Sequence, residues 1–330
     1  MQKTLKIIAL TLLCGVSFAQ QDAQFSQNMF NKLPVNPAYA GTDGAICGTI
    51  LLRQQWENFP GAPRTGLIAL DAPVLQSTPF HGGAGLTFCQ DQLGFDKTTF
   101  AKISYSYHRA LWAGTLALGF EASMMQKQLN GVWIATDPVA QDASIPDINT
   151  GGIKSYDLGL GVYYTNPIGM YFGISSTHLT PSSFRLTHPA AKGNPLNVPD
   201  DYNFVNAKHM YIMAGCPFPV SRNVEVIPSV LAKTDLTSTQ LDLNVRVVWQ
   251  ERIWGGMSYR LTDAVVAMVG FQNGGFRFGY SFDMTTSDIR NYSNNTHEVM
   301  VGYCYQPPTR VKRTVHDNIR NMNFRNGEME

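Results

Sequence analysis

Residues 240–249 read QLDLNVRVVW, and the alternation is nearly unbroken. Leu241, Leu243, Val245, Val247 and Trp249 fall on one side; Gln240, Asp242, Asn244 and Arg246 fall on the other. Period two puts successive side chains on opposite faces of an extended strand. The polar face is too charged to pack as a second core, so it wants water. The apolar face meets either protein or lipid, and the rest of the chain decides which.

The same pattern recurs. Ile103, Tyr105 and Tyr107 oppose Lys102, Ser104 and Ser106. Leu116, Leu118 and Phe120 oppose Thr115, Gly119 and Glu121. Tyr156, Leu158, Leu160 and Val162 oppose Asp157, Gly159 and Gly161, and Phe276, Phe278, Tyr280 and Phe282 oppose Arg277, Gly279, Ser281 and Asp283. Strand signals fall at about 46–55, 64–73, 83–91, 97–108, 113–126, 154–165, 169–177, 207–216, 223–233, 239–249, 253–260, 264–272, 275–283 and 297–305, about fourteen in all. Two are irregular. Residues 264–272 are apolar on both faces, and Pro228 inside 223–233 predicts a bulge or irregular edge, because proline forfeits a ladder hydrogen bond.

Connection lengths carry the topology. Short connections follow strands 4, 6, 10 and 12, at Ala110-Leu111-Trp112, Asn166-Pro167-Ile168, Gln250-Glu251-Arg252 and Asn273-Gly274. Long ones follow strands 5, 7 and 13, at about 127–153, 178–206 and 284–296. The expectation is that every tight turn follows an even-numbered strand and every very long loop an odd-numbered one. Short turns on one rim and long loops on the other mark a transmembrane barrel, and strands of ~9–11 tilted residues cross a bilayer. Trp112, Tyr163, Tyr164, Trp249, Trp254, Tyr303 and Tyr305 lie at strand ends, where interfacial girdles belong; for Trp254 a place in the core is the competing reading. In hydrocarbon every backbone polar group needs a partner, and only a closed sheet leaves no edge. With an even strand count, both termini are expected on the periplasmic side.

The first 19 residues read as a signal peptide. Lys3 and Lys6 precede a short apolar run from Ile7 to Val16, and Ser17-Phe18-Ala19 is a small-x-small cleavage site before Gln20. Cys14 is preceded by Leu13 where a lipoprotein would carry a small residue. Residues 20–45 contain Pro34, Asn36-Pro37 and Gly41, which break regular structure, while Phe25, Met29, Phe30 and Tyr39 need burial. This lead-in is expected to plug or brace the barrel at 46–305. Residues 306–330 form a basic periplasmic tail with Arg310, Lys312, Arg313, Arg320 and Arg325.

Charged residues make up 15% of the chain against ~25% in typical soluble proteins, and the net charge is +1. That gives no electrostatic case for a nucleic-acid partner and suits a chain whose partner is the lipid bilayer. Cys47, Cys89, Cys216 and Cys304 are far apart, and the expectation is single small residues in strand walls rather than a disulfide. No G-x-S-x-G, H-E-x-x-H or phosphate-cradling glycine loop occurs, and His81, His108, His178, His188, His209, His297 and His316 lack ligand spacing. His178 and His188 share a long loop and are expected to be solvated. Asp157, Arg246, Arg277, Asp283 and Glu298 face the lumen, where ion pairs across the interior are expected. No catalytic, cofactor-binding or metal residue is assigned, and no cofactor is expected.

Specific words in the chain resemble a family. Asp22-Ala23-Gln24-Phe25-Ser26-Gln27-Asn28-Met29-Phe30-Asn31 and Asn36-Pro37-Ala38-Tyr39-Ala40-Gly41 look like the start of PorP/SprF proteins. Arg53-Gln54-Gln55-Trp56, Pro60-Gly61-Ala62-Pro63-Arg64-Thr65, Pro228-Ser229-Val230-Leu231-Ala232-Lys233, Trp254-Gly255-Gly256-Met257-Ser258-Tyr259-Arg260, Gly279-Tyr280-Ser281-Phe282-Asp283 and His297-Glu298-Val299 follow in order. That family belongs to the type IX secretion and gliding machinery of Bacteroidetes. The resemblance implies a non-enzymatic outer-membrane barrel that binds and anchors secreted proteins, through their C-terminal domains, or machinery subunits at the cell surface. The alternative is an outer-membrane pore or transporter for small solutes, with Lys102, Arg246 and Arg277 favouring anions. Cys216 and Pro217 depart from the familiar pattern.

Overall fold

Alternating sequences of this kind can satisfy every backbone group only by pairing side by side, and the chain does so almost throughout. The computed structural model describes residues 22–75, 78–129, 153–180, 183–187, 201–205, 207–292 and 294–306. The strands are β1 (Ile46–Gln54), β2 (Arg64–Val74), β3 (Gly82–Leu93), β4 (Asp96–Leu111), β5 (Gly114–Leu129), β6 (Ile153–Thr165), β7 (Tyr171–Thr177), β8 (Ser183–Thr187), β9 (Asp201–Val205), β10 (His209–Gly215), β11 (Phe218–Ser221), β12 (Val224–Thr234), β13 (Thr239–Trp249), β14 (Ile253–Arg260), β15 (Ala264–Asn273), β16 (Phe276–Thr285) and β17 (Thr296–Tyr305). All wall pairings are antiparallel between chain neighbours, and β1 pairs with β17 to close the ring. The strand β10 pairs with β7 on one side and β12 on the other. The strand β11 continues the same register along β12, so β10 and β11 are two parts of one wall strand interrupted at Cys216-Pro217. The result is a closed antiparallel barrel of 14 strands. The strands β8 and β9 form a separate hairpin within the connection between β7 and β10, an element that no sequence signal marked.

The barrel is turned inside out relative to a soluble protein. On β13, Leu243, Val245 and Val247 point outward and are exposed, while Asp242 and Asn244 are buried. Ile50, Leu52, Ile68, Leu70, Phe88, Ile103, Leu118, Phe120 and Ile174 continue the outward apolar surface on other strands. The interior holds Arg53, Lys102, Glu121, Asp157, Arg260, Asp283 and Glu298, all buried. This arrangement defines a membrane-spanning wall, since a closed sheet hides its own backbone and presents only apolar side chains to lipid. Among the described residues no helix is long and apolar enough to cross a membrane.

Several expectations need correction. Cys47 and Cys304 are joined by a disulfide. Barrel closure sets the first and last strands side by side, with these two residues directly opposite, and sequence spacing carries no trace of that juxtaposition. Tight turns are not confined to even-numbered wall strands: Gly94-Phe95 links β3 to β4 in two residues, on the rim that carries the long connections. Gly94 supplies the positive φ of 58° that this turn requires. Pro228 causes no break in β12, which pairs with β13 through Pro228↔Val245 without a shift. The irregularity lies in the neighbouring strand, at Cys216-Pro217 and at a register shift between Pro219 and Ser221. Trp254 and Tyr163 are not girdle residues; both point inward and are buried. Trp112, Trp249, Tyr303 and Tyr305 are exposed, with Trp112 at 88%. Residues 1–19, the loop 130–152, His188 and the tail from 307 lie outside the described residues.

Candidate functional site

Residues 22–45 run through the interior from one rim to the other. At the rim of the long connections, the Ser26 and Gln27 backbone amides each donate to Glu298 at 2.8 Å. Arg53 contacts Glu298 at 3.2 Å and Asp283 at 3.0 Å, and Arg260 reaches Asp283 at 3.3 Å and Asp242 at 3.4 Å. The Ser26 hydroxyl donates to Asp283 and accepts from Arg53 at 2.7 Å. Three carboxylates and two guanidiniums from β1, β13, β14, β16 and β17 thus converge on one turn of the lead-in. Buried charges persist only when paired and hydrogen-bonded, and here the lead-in backbone supplies two of the donors. Asp283 and Glu298 form the ion pairs expected of them. Among the described residues Arg246 forms none: its guanidinium lies 4.5 Å from the Phe30 ring centroid. Arg277 instead donates to the Cys304 sulfur at 2.7 Å.

Next along the segment, Met29 and Phe30 meet an apolar patch of wall made of Val248, Trp254, Val266, Met268 and Met300. Phe30 and Trp254 have centroids 4.9 Å apart. This explains why residues 264–272 are apolar on both faces: Val266 and Met268 face the lead-in while Ala267 and Val269 face outward. Lys32 then sits with its ammonium 3.5 Å from the Tyr171 ring centroid and donates to the Tyr163 hydroxyl at 3.3 Å.

The lower part is a capped turn. Asn36 precedes a 3-10 turn at Pro37–Tyr39, and its side chain accepts from the Ala38 amide at 3.0 Å. Proline at the first position of such a turn loses no hydrogen bond. The Asn36 amide group also donates to the Val162 carbonyl at 3.1 Å. The wall is thinned to admit this turn. A Cβ at Gly119 would overlap the Pro37 and Ala38 backbone, and one at Gly161 would overlap the Asn36 side chain. Lys102 donates to the Pro34 carbonyl at 3.1 Å and pairs with Glu121 at 3.0 Å. Ser106 donates to the Ala38 carbonyl, and Gly41 donates to Asp71, before the chain turns into β1. The strands β1 and β17 begin and end at the short-turn rim, as expected, but Asp22 lies at the opposite rim because the lead-in has crossed the interior.

At that far end, His178 is not a solvated loop residue. It is buried, and its ring nitrogens contact Asp157 and Asp22, the latter at 3.0 Å. Its burial disfavours charge, yet the Asp22 carboxylate and the hydrogen bond to Asp157 outweigh this and lift its pKa to about 9. Burial works against ionisation of Asp22 too, but His178, with His209 and Lys233, holds its pKa well below the usual carboxylate range. Asp22, Arg53, Glu121, His209 and Arg260 drew no notice as interior partners in the sequence. Position in the alternating pattern identifies the wall residues as inward-facing; nothing local identifies their partners.

A closed, outwardly apolar antiparallel barrel whose polar interior grips its own N-terminal segment is a membrane β-barrel protein. The model of the type IX secretion system membrane protein PorP/SprF matches residues 17–303. The chain belongs to that family. Among solved structures it is similar to a mutant of the porin of Rh. blastica (9% identity, 79% of this chain and 99% of that chain, TM-score 0.36). It is also similar to the outer membrane protein Omp33 of Acinetobacter baumannii (6% identity, 79% and 99%, TM-score 0.39). A third is the translocator domain of the autotransporter NalP from Neisseria meningitidis (12% identity, 84% and 95%, TM-score 0.42). No curated protein matches the chain.

Proposed function

We propose that this protein is a non-enzymatic outer-membrane component of the type IX machinery that binds and anchors secreted proteins or machinery subunits at the cell surface. Its interior segment serves as a plug rather than as a gate for small solutes. The observation that carries this reading is the pairing of interior charge with the lead-in. Glu298, Arg53, Asp283, Arg260, Lys102 and Glu121 are engaged with the segment or with one another, so the polar wall is spent on holding residues 22–45. The connections 130–152, 178–208 and 286–295 all leave the same rim. They form the surface best suited to a partner, and the β8–β9 hairpin is part of it. The residues 306–330 are proposed as a periplasmic tail.

Co-purification after mild detergent extraction tests the reading. A secreted protein or a machinery subunit should accompany the barrel, and shortening 130–152 or 178–208 should release it. Recovery of the barrel alone from native membranes would count against anchoring. The pore alternative is separated by conductance in a planar bilayer, where a plugged barrel is electrically silent and an open one is not.

A further inference from the structure

Three side chains from distant parts of the sequence converge where the lead-in meets the long-connection rim. The Asp22 carboxylate, the His178 imidazole and the His209 imidazole each offer a ligand atom, and these atoms lie within 4.8 Å of one another. His178 follows β7 and His209 opens β10; the pairing Thr177↔His209 brings them together across 31 positions of chain. Their rings approach edge to face at 5.7 Å.

The hydrogen bonds behind the rings set which nitrogen faces the cluster. His178 uses Nδ1 on the Asp157 carboxylate, which is itself held by the Thr180 amide and hydroxyl. That leaves Nε2 toward Asp22. His209 donates from Nδ1 to the Ala207 carbonyl at 3.0 Å, so its Nε2 carries the lone pair. That Nε2 is buried and has no hydrogen-bond partner among the described residues, in a residue only 2% exposed. A buried imidazole nitrogen without a partner is costly unless something fills the place. Imidazoles backed by a carboxylate and by a backbone carbonyl are the usual outer-shell arrangement of metal-binding histidines.

We propose that Asp22, His178 and His209 form a site for a divalent transition metal of the zinc class, clamping the N-terminal end of the interior segment to the barrel wall. Two imidazoles and one carboxylate suit zinc, with a fourth position left for water. On binding, His178 releases its Nε2 proton to solvent and the metal takes its place between His178 and Asp22. His209 needs no proton transfer. Charge is consistent with a dication: Asp22, Asp157 and Asp235 lie around the cluster, against two ammoniums, Lys233, which is held on the Asp22 carbonyl at 2.7 Å, and Lys102, which is paired with Glu121 at 3.0 Å. Tyr211 donates to the second Asp22 oxygen at 2.8 Å, so the first, which holds the His178 Nε2 proton, is the one to ligate when that proton leaves. The site joins three separate parts of the chain, so its occupancy reports on whether the plug is seated.

The test uses the full chain in detergent, stripped with chelator and then reloaded with Zn²⁺ or Co²⁺. One metal per chain should survive desalting, and Co²⁺ should show the visible absorption of a low-symmetry nitrogen–oxygen site. His209→Gln should abolish retention, and Asp157→Asn should weaken it by about 10- to 100-fold. His297→Gln, remote from the cluster, should leave retention unchanged. Should His209→Gln fail to give the heat-modifiable band of a folded barrel, Asp22→Ala, which leaves the wall intact, carries the same expectation. No retained metal in the wild type, or equal retention in the His209 and Asp22 variants, overturns the proposal.

Discussion

Arg53 on β1 and Glu298 on β17 sit opposite each other across the seam of the barrel and meet at 3.2 Å with almost no exposure of either side chain. Glu298 also accepts the Ser26 and Gln27 amides, so one carboxylate ties the closing strand to the interior segment. Removing Glu298 leaves Arg53 with Asp283 as its one carboxylate and leaves the buried Ser26 and Gln27 amides without their acceptor. Glu298→Ala should therefore cost about 2–5 kcal/mol of barrel stability, about 1–3 kcal/mol for each orphaned donor. Denaturant titration of the folded band checks this, and a cost under about 1 kcal/mol would mean that water replaces the carboxylate.

The outward face gives a second prediction. Val245 is 47% exposed in the isolated chain and points away from the lumen. Val245→Arg should cost ~2–4 kcal/mol in a bilayer if the residue sits near mid-membrane. Refolding into lipid vesicles measures it. An unchanged midpoint would place this band of the wall near the interface.

Gly119 gives a third. A side chain there collides with the backbone of the Pro37–Tyr39 turn rather than with a movable side chain. Gly119→Val should cost about 1–3 kcal/mol, the range for overfilling a packed interior. It should also expose residues 30–41 to protease. The wall should persist, because Gly119↔Gly161 pairing between β5 and β6 is a backbone matter. Protection equal to wild type would show that the turn adapts.

How far the sequence foretold this site differs between wall and lead-in. Strict alternation at 240–249 and 276–283 gave the strands and their faces, because a period of two is a local property. Proline and glycine in 20–45 with four unburied aromatics or methionines pointed to a segment packed against something larger. Pairing is not local. Cys47 with Cys304, His178 with His209, and Arg53 with Glu298 all depend on which strand lies beside which, and on the register between them. Trp254 and Tyr163 went astray for a related reason: aromatics at strand ends look alike until it is known which face the lead-in covers.

The closing seam has a consequence for the order of assembly. The chain leaves the interior at Ala45 and enters β1 at Ile46, so the interior segment is tethered to one lip of the seam. The other lip, β17, is the last strand of the wall to be made, 257 positions away at the cysteine pair. A ring sealed first would have to admit residues 22–45 by threading them past buried ion pairs, one of whose carboxylates, Glu298, lacks two of its donors until Ser26 and Gln27 arrive. A sheet that curls around the segment meets those charges as it closes. Filling and sealing then belong to one late event, and long-range pairing of this kind is slow. The seam disulfide makes that event hard to reverse, locking the contents in along with the wall.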